Sequence, residues 1–471
     1  MADPELAFER RMSDAEALMW TVEKDPWLSS TFGVVSVLER PLDLEHFRAR
    51  MSAAVARVAR LRERVVPGPG RLAAPVWQPD PEFDLDHHVR PIALPSPGTE
   101  RQLLDLATQL VADPFDRSRP LWQFWAIEGL EGGRGALLTK VHHTITDGEG
   151  GLRLAEAYMD FSADAPPPEA VDLDPVVAGA VVHDRAAHPR LAAVAAGAAA
   201  EDVRRRIGQL RGALGGLALN MADPGRVPEA GAATVEQIRT LLAQLAPAGE
   251  DRLGSPIWTD RSRRRHLEVV SVGLGDLKAA AGDATLNDAF LAAVGAGVAR
   301  YHEEVGADAE GFRATFAVST RQGNTAGGNA FAPLRVQLPG IGTPMAERLD
   351  RTAAAVRGVR SEPSTPGLLT SVTGLANLLP TGVVTRLARA EAARVDIATS
   401  NVRAAPIPTW VGGSLIEASY ALGPVLGTPC NVTLLSYCDR VDLGLHIDPA
   451  AVVEPERLRR CIEAGFAELI G

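Results

Sequence analysis

Lys140-Val141-His142-His143-Thr144-Ile145-Thr146-Asp147-Gly148 is the stretch around which this chain is organised. The apolar run Gly135 to Val141 that feeds it reads as a strand, Asp147-Gly148 as a turn, and Leu152 to Phe161 as a helix. A histidine at a strand end and fixed by a turn keeps its aim on a substrate, and imidazole is the side chain best poised to accept a proton near neutral pH. His143 is therefore a candidate general base, with His142 beside it. If residues 144 to 147 turn, the Asp147 carboxylate can point back into the protein, pair with a buried arginine and brace the loop. The plainer alternative is a pair of half-buried polar residues capped by neighbouring backbone.

The string His142-His143-Thr144-Ile145-Thr146-Asp147-Gly148 resembles the active-site motif of the CoA-dependent acyltransferase superfamily, which includes the condensation domains of peptide synthetases. Other stretches narrow the resemblance to the bacterial wax ester synthase/diacylglycerol acyltransferase family. Arg119-Pro120-Leu121-Trp122 is similar to its Pro-Leu-Trp motif, Leu286-Asn287-Asp288-Ala289 to its Asn-Asp motif and Thr399-Ser400-Asn401-Val402 to its Ser-Asn-Val segment. Phe83-Asp84-Leu85-Asp86-His87-His88-Val89-Arg90 reads like its early signature. The motifs follow in the expected order over nearly the whole chain. One departure is local: the family continues Ser-Asn-Val with Pro-Gly, and this chain continues with Arg403-Ala404-Ala405-Pro406.

Composition bounds the answer in the same direction. A chain of 471 residues with 46% hydrophobic residues has material for two to four cores. A net charge of -11 supplies no global positive field to gather phosphates, which argues against a nucleic-acid partner. Cys430, Cys438 and Cys461 form neither a disulfide framework nor a zinc-ligand pattern, so no metal is expected and a reducing cytoplasm fits. The acidic start of the chain lacks the basic and apolar regions of a signal peptide. The uncharged stretches 364–385 and 418–438 are broken by Pro and Gly and do not read as membrane spans. No nucleophile elbow, Walker A loop or zinc-protease motif occurs.

Strands and helices alternate over residues 1–165, the first expected α/β domain. A helix is expected over 43–64, with Leu44, Phe47, Met51, Val55, Val58 and Leu61 at helical spacing. His87-His88 lacks an Asp-Gly turn and reads as structural or as a ligand pair. Residues 166–255 turn rich in Ala, Pro, Gly and Arg and read as a linker. Within it, 191–219 suits an amphipathic helix, either a solvated connector or an attachment to an anionic membrane face or lipid droplet. The α/β pattern restarts over 256–471. Asp283 or Thr285 can cap a helix that opens at Leu286, which puts Asn287 in a first turn where it either braces a loop or offers an amide to the reacting centre. Asp288 reads as structural. The run 367–380, apolar and uncharged, packs in a core or faces oil. The cluster Arg261-Ser262-Arg263-Arg264-Arg265 is either a solvated loop or a cradle for CoA phosphates.

The resemblance implies two CoA-dependent acyltransferase-like (chloramphenicol acetyltransferase-like) α/β domains with mixed sheets and an active-site tunnel between them. It implies an O-acyltransferase in which His143 takes the proton of an attacking hydroxyl and returns it to the CoA thiolate, without an acyl-enzyme or a cofactor beyond the acyl-CoA substrate. In relatives an arginine at a strand end pairs with the motif aspartate, which makes Arg321 the expected partner of Asp147, with Gly148 shaping the turn. Asn287, Ser400 and Asn401 are the candidate donors to the tetrahedral oxygen. Pro120, Leu121 and Trp122 are expected to support the site. The expected substrates are a long-chain acyl-CoA and a fatty alcohol or diacylglycerol, and the expected place is the cytoplasm, with peripheral attachment to the inner membrane face or lipid droplets. Two rivals remain: a condensation-type enzyme using carrier-protein thioesters, and a lipid-binding protein that keeps the fold without catalysis.

Overall fold

The computed structural model describes residues 9–68, 74–146, 148–187, 254–319, 331–361 and 381–471. In the first half, α1 (Asp14–Val22) is followed by β1 (Thr31–Leu38), α2 (Leu44–Arg57), β2 (Glu63–Val66), β3 (Val76–Pro79), the one-turn α3 (Leu85–His88) and β4 (Val89–Ala93). Then come α4 (Glu100–Ala112), β5 (Trp122–Leu130), β6 (Arg134–His142), α5 (Gly148–Glu156) and α6 (Leu173–Ala187). The second half holds β7 (His266–Gly273), α7 (Leu274–Ala281), α8 (Leu286–Glu304), β8 (Gly311–Ser319), β9 (Phe331–Pro339), α9 (Met345–Ser361) and α10 (Thr381–Ala392). It closes with β10 (Ile397–Arg403), β11 (Trp410–Val411), β12 (Ser414–Leu422), β13 (Cys430–Tyr437), β14 (Arg440–Ile447) and α11 (Pro455–Ile470).

Two mixed sheets result, ordered β11-β12-β1-β6-β5-β4 and β7-β14-β13-β10-β8-β9, with β2-β3 as a separate hairpin. In the first, β1 runs antiparallel to both β6 and β12, and β4 runs parallel to β5. In the second, β10 is parallel to both β8 and β13. Both faces of the first sheet are covered, so β6 is buried nearly throughout and reads as a continuous apolar run instead of an alternating one. Leu103, Leu104, Ala107 and Val111 of α4 cover one face; Phe47, Met51 and Val55 of α2 pack on the other. On the second sheet the apolar α8 lies buried beneath α11 and α9.

Helix starts follow their caps. Ser13 with Glu16, Thr99 with Gln102 and Thr285 with Asp288 form reciprocal capping boxes, and the Asp43 carboxylate accepts from the amides of Glu45 and His46. Two expectations need correcting: the helix expected over 152–161 is α5, which opens at Gly148 and ends at Glu156, and the helix expected over 43–64 ends at Arg57. Val58 is extended (φ -105°, ψ 97°), and the Arg62 guanidinium folds back to donate to the Val55 and Ala56 carbonyls at 2.6 and 3.0 Å. A cation placed on the last carbonyls terminates the helix, and the chain goes on as β2.

The segment that follows residue 166 leads into α6, which docks on the first half. Asp184 pairs with Arg10 at 2.7 Å, and the Val171 amide donates to the Ser52 hydroxyl at 2.9 Å. The Ala- and Arg-rich run 191–219 and the apolar run 367–380 lie outside the described residues. Among the described residues no helix is long and apolar enough to cross a membrane.

Among the described residues, three ties between the two sheets stand out. The most intimate is β12, which follows β10 and β11 of the second half and yet pairs with β1 of the first sheet. It crosses close over β14: the buried Asp442 carboxylate accepts from the Ser419 amide (3.1 Å) and the Ser271 hydroxyl (2.6 Å). A second tie is Arg101 of α4, which donates to the Leu267 carbonyl and the Glu268 carboxylate, each at 2.9 Å. The third joins α1 to α10 through Val22, Leu28 and Val384, with Arg389 paired to Asp25. At the β12 crossing, a Cβ on Gly444 would overlap the Ala421 carbonyl. Gly444→Ala is expected to force the strands apart and cost about 1–3 kcal/mol, read as a lowered thermal midpoint; an unchanged midpoint would contradict this crossing.

Candidate active site

His142 is the last residue of β6, and the chain turns at once after it. The Ile145 amide donates to the His142 carbonyl at 2.9 Å, and buried Ile145 anchors the turn in the core. Two main-chain bonds fix the pair from either side: the His142 amide donates to the Leu121 carbonyl and the His143 amide to the Ser30 carbonyl, each at 3.0 Å. Leu121 stands just before β5 and Ser30 just before β1, the two strands that flank β6. The histidines are thus held where three strands of the first sheet begin or end.

Their side chains differ in access. The His142 ring is buried, 1% exposed, and both its nitrogens are engaged. Nδ1 accepts from the Thr144 amide at 3.1 Å, with the Thr144 hydroxyl 2.7 Å away. A ring nitrogen that accepts an amide proton carries its lone pair there, so the ring proton sits on Nε2 and is donated to the Glu23 carboxylate. His143 is half-buried and its ring lies against Phe32 at 4.6 Å.

The Pro-Leu-Trp segment backs this strand end. Besides the Leu121 carbonyl, Trp122 sits opposite Val141 in the sheet, fully buried, and its indole N–H donates to the Leu61 carbonyl at 2.8 Å. His88 stacks on that indole at 4.3 Å and donates from Nδ1 to the Trp122 carbonyl at 2.7 Å. Burial pushes the His88 imidazole down to about 3, against the pull of that carbonyl. His88 is therefore a packing residue, and the early signature is the stack behind Trp122.

The other expected site residues lie on the second half. Asn287 is in the first turn of α8, and its amide nitrogen is buried with no hydrogen-bond partner among the described residues. Asp288 accepts from the Thr285 hydroxyl (2.7 Å) and amide (3.0 Å) through one carboxylate oxygen and so closes the helix cap. Half-buried Ser400 and exposed Asn401 lie on β10, against which α5 packs. In place of the family's Pro-Gly the pairing of β10 with β13 runs on through Arg403, and the Ala404 amide still donates to Ser436. Asp147 and Arg321 lie outside the described residues. In the basic cluster, Arg261 and Arg265 are turned inward onto backbone carbonyls and Asp448, which leaves Arg263 and Arg264 as its exposed members. His266, Glu268 and Glu456 lie within mutual reach, but Arg101 and Arg459 already neutralise Glu268.

Glu23 was not visible in the sequence, where Glu23-Lys24-Asp25 reads as a solvated charged turn. Its Oε1 accepts from the Ser29 hydroxyl (2.8 Å), the Ser30 amide (3.2 Å) and the Thr31 hydroxyl (3.4 Å), while Oε2 takes His142. Burial raises this carboxyl, but His142, Ser29 and Arg117 outweigh it and hold the group below its ordinary value. Lys140 was also missed. It is 1% exposed, donates to the Asp113 carbonyl at 2.6 Å and sits over the Phe115 ring at 4.4 Å.

The described architecture defines the class. Two mixed sheets, a strand pair (β11 and β12) passed from the second half into the first sheet and a His-His pair ending a central strand make up the CoA-dependent acyltransferase fold. The first condensation domain of the calcium-dependent antibiotic synthetase shares it at a TM-score of 0.55 and 18% identity, over 99% of this chain and 98% of that one. The chain belongs to the wax ester synthase/diacylglycerol acyltransferase family and is an acyltransferase: residues 12–290 match the family's catalytic domain and 327–470 its C-terminal domain. A putative diacylglycerol O-acyltransferase of Mycobacterium tuberculosis is 32% identical over 98% of this chain and 92% of its own length. The wax ester synthase/diacylglycerol acyltransferase of Marinobacter aquaeolei has the same fold, with a TM-score of 0.65 and 22% identity over 98% of both chains.

Burial pushes the Lys140 ammonium from 10.5 down to about 8, against the pull of Asp113 and Glu23. Between those two values the unfolded chain holds a proton that the folded one has lost, so stability rises with pH there. Below about pH 8 the buried charge is a cost. Lys140→Met lacks this slope, so the wild-type melting temperature is expected to climb relative to the variant between pH 8 and pH 10. A constant difference over that range would contradict the depressed lysine.

Proposed function

We propose that this acyltransferase moves a long-chain acyl group from acyl-CoA to the hydroxyl of a fatty alcohol or a diacylglycerol, with His143 as general base. The observation that carries the reading is the unequal fate of the two histidines. His142 is buried with both ring nitrogens engaged, whereas half-buried His143 stands at the same strand end with its main chain clamped by Ser30. His143 removes the hydroxyl proton as the alcohol oxygen attacks the thioester carbonyl. The tetrahedral intermediate then collapses, the C–S bond breaks, and His143 returns the proton to the CoA thiolate. An ester and free CoA result, without an acyl-enzyme and without a cofactor.

The developing oxyanion needs donors already in place. The Asn287 amide, buried and unpaired, suits that need best; Ser400 and Asn401 are the other candidates. Asp147 braces the His143 turn through Arg321, as the family resemblance implies. A related fold supports the donor class: the starter condensation domain of rhizomide synthetase, at a TM-score of 0.56 and 13% identity, was solved with C8-CoA. The lipid nature of both products favours work at a membrane face or lipid droplet.

The test is release of free thiol from palmitoyl-CoA with hexadecanol or dipalmitoylglycerol as acceptor. His143→Ala is expected to lower acceptor-dependent release by about 10²- to 10⁴-fold with little change in acyl-CoA binding. Undiminished release in the variant would sink the general-base reading. Activity only with a carrier-protein thioester would favour the condensation-type alternative.

A further inference from the structure

We propose that Glu23 is a positioning residue for acyl transfer, acting through the His142 ring and the Ser29-Ser30-Thr31 entry to β1 to set the aim of His143. The inference rests on the reading of His143 as the base. Glu23 is the residue after α1, and four donors from two separate parts of the chain converge on its carboxylate. One oxygen gathers the three-residue segment that leads into β1. The other takes the Nε2 proton of His142. The same segment supplies the Ser30 carbonyl that accepts from the His143 amide, so the carboxylate holds both supports of the histidine pair at once.

The arrangement depends on an acceptor at both oxygens. The Thr144 amide fixes the His142 proton on Nε2, and the Ser30 amide points at the opposite oxygen. An amide in place of the carboxylate must therefore set its NH2 group against a donor, whichever way it is turned. Glu23→Gln keeps the volume and still breaks one of the two supports. The surroundings also explain how a buried carboxylate persists here: Arg117 and Lys140 are the charged neighbours that face it. Arg117 itself is pinned over the Trp20 ring at 3.4 Å, donating to the Trp20 carbonyl at 2.6 Å.

A loss of aim of this kind lowers the rate of the chemical step more than it weakens binding. The experiment compares kcat and KM per folded molecule for wild type, E23Q, H142A, E23Q/H142A and H143A, with thermal midpoints alongside. E23Q is expected to lower kcat by about 10- to 100-fold, with KM for acyl-CoA and for the acceptor within about twofold of wild type. H142A is expected to show a similar kcat loss, and the double variant about the same loss again instead of the product of the two. Three results would each overturn the inference: a kcat for E23Q within about twofold of wild type, a loss carried by KM, or losses that multiply in the double variant. H143A separates this failure from that of the underlying mechanism. An inactive H143A beside a normal E23Q removes only Glu23 from the account, whereas an active H143A removes the general base.

Discussion

Two main-chain hydrogen bonds, from His142 to Leu121 and from His143 to Ser30, are the constraint on which the rest of the site depends. A catalytic imidazole on a free loop would spend binding energy on being ordered with each substrate; one locked into the ends of three adjacent strands has met that cost during folding. This explains why the features around it are so heavily buried. Trp122 fills the space behind β5, His88 stacks on Trp122, and the turn after α2 reaches the same cluster through Leu61, whose carbonyl takes the indole proton. Each of these contacts serves to keep the first residues of β5 at a fixed height relative to the last residue of β6.

The polar side of the site follows from the same burial. A carboxylate, an imidazole, a lysine and an arginine taken out of water together are costly unless every proton has a destination. Here the destinations are main chain as much as side chain: Lys140 meets the Asp113 carbonyl, Arg117 the Trp20 carbonyl and Glu23 the Ser30 amide. The cations are shared out among carbonyls and aromatic faces, Arg117 lying over Trp20 and Lys140 over Phe115.

The fold was legible because its determinants are local and periodic. The apolar run ending at Val141 gave β6, a cap at Asp283 or Thr285 gave the start of α8, and the ordered motifs gave two α/β halves with mixed sheets. The end of α2 was not legible, because it depends on Arg62 folding back onto Val55 and Ala56, a return contact that leaves no periodic trace. The exchange of β12 into the first sheet was hidden for a related reason: strand order is a property of partners distant in sequence, and Ser414 to Leu422 carries no mark of which sheet it will join. Within the site, the histidines and Trp122 were found through their motifs, but Glu23 was not. A glutamate after a helix, followed by Lys24 and Asp25, has the local pattern of a solvated turn, and only its distance of 119 residues from His142 along the chain, closed by folding, reveals its function.

The three ties between the sheets are unequal, and the inequality bears on how the site is assembled. At β12 the joint is a full strand pairing with a buried carboxylate beneath it, and the close approach at Gly444 leaves no space to slide. At α1 and α10 it is a small apolar cluster plus the Asp25–Arg389 pair, whose arginine is largely exposed and contributes only about 0–1 kcal/mol. Yet this weaker joint is the one next to the histidine pair, since Val22, Glu23 and Asp25 are within four residues of one another. Val22 meets α10, Glu23 meets His142 and Asp25 meets Arg389. The position of a second-half helix and the aim of a first-half histidine are set by one short stretch of backbone.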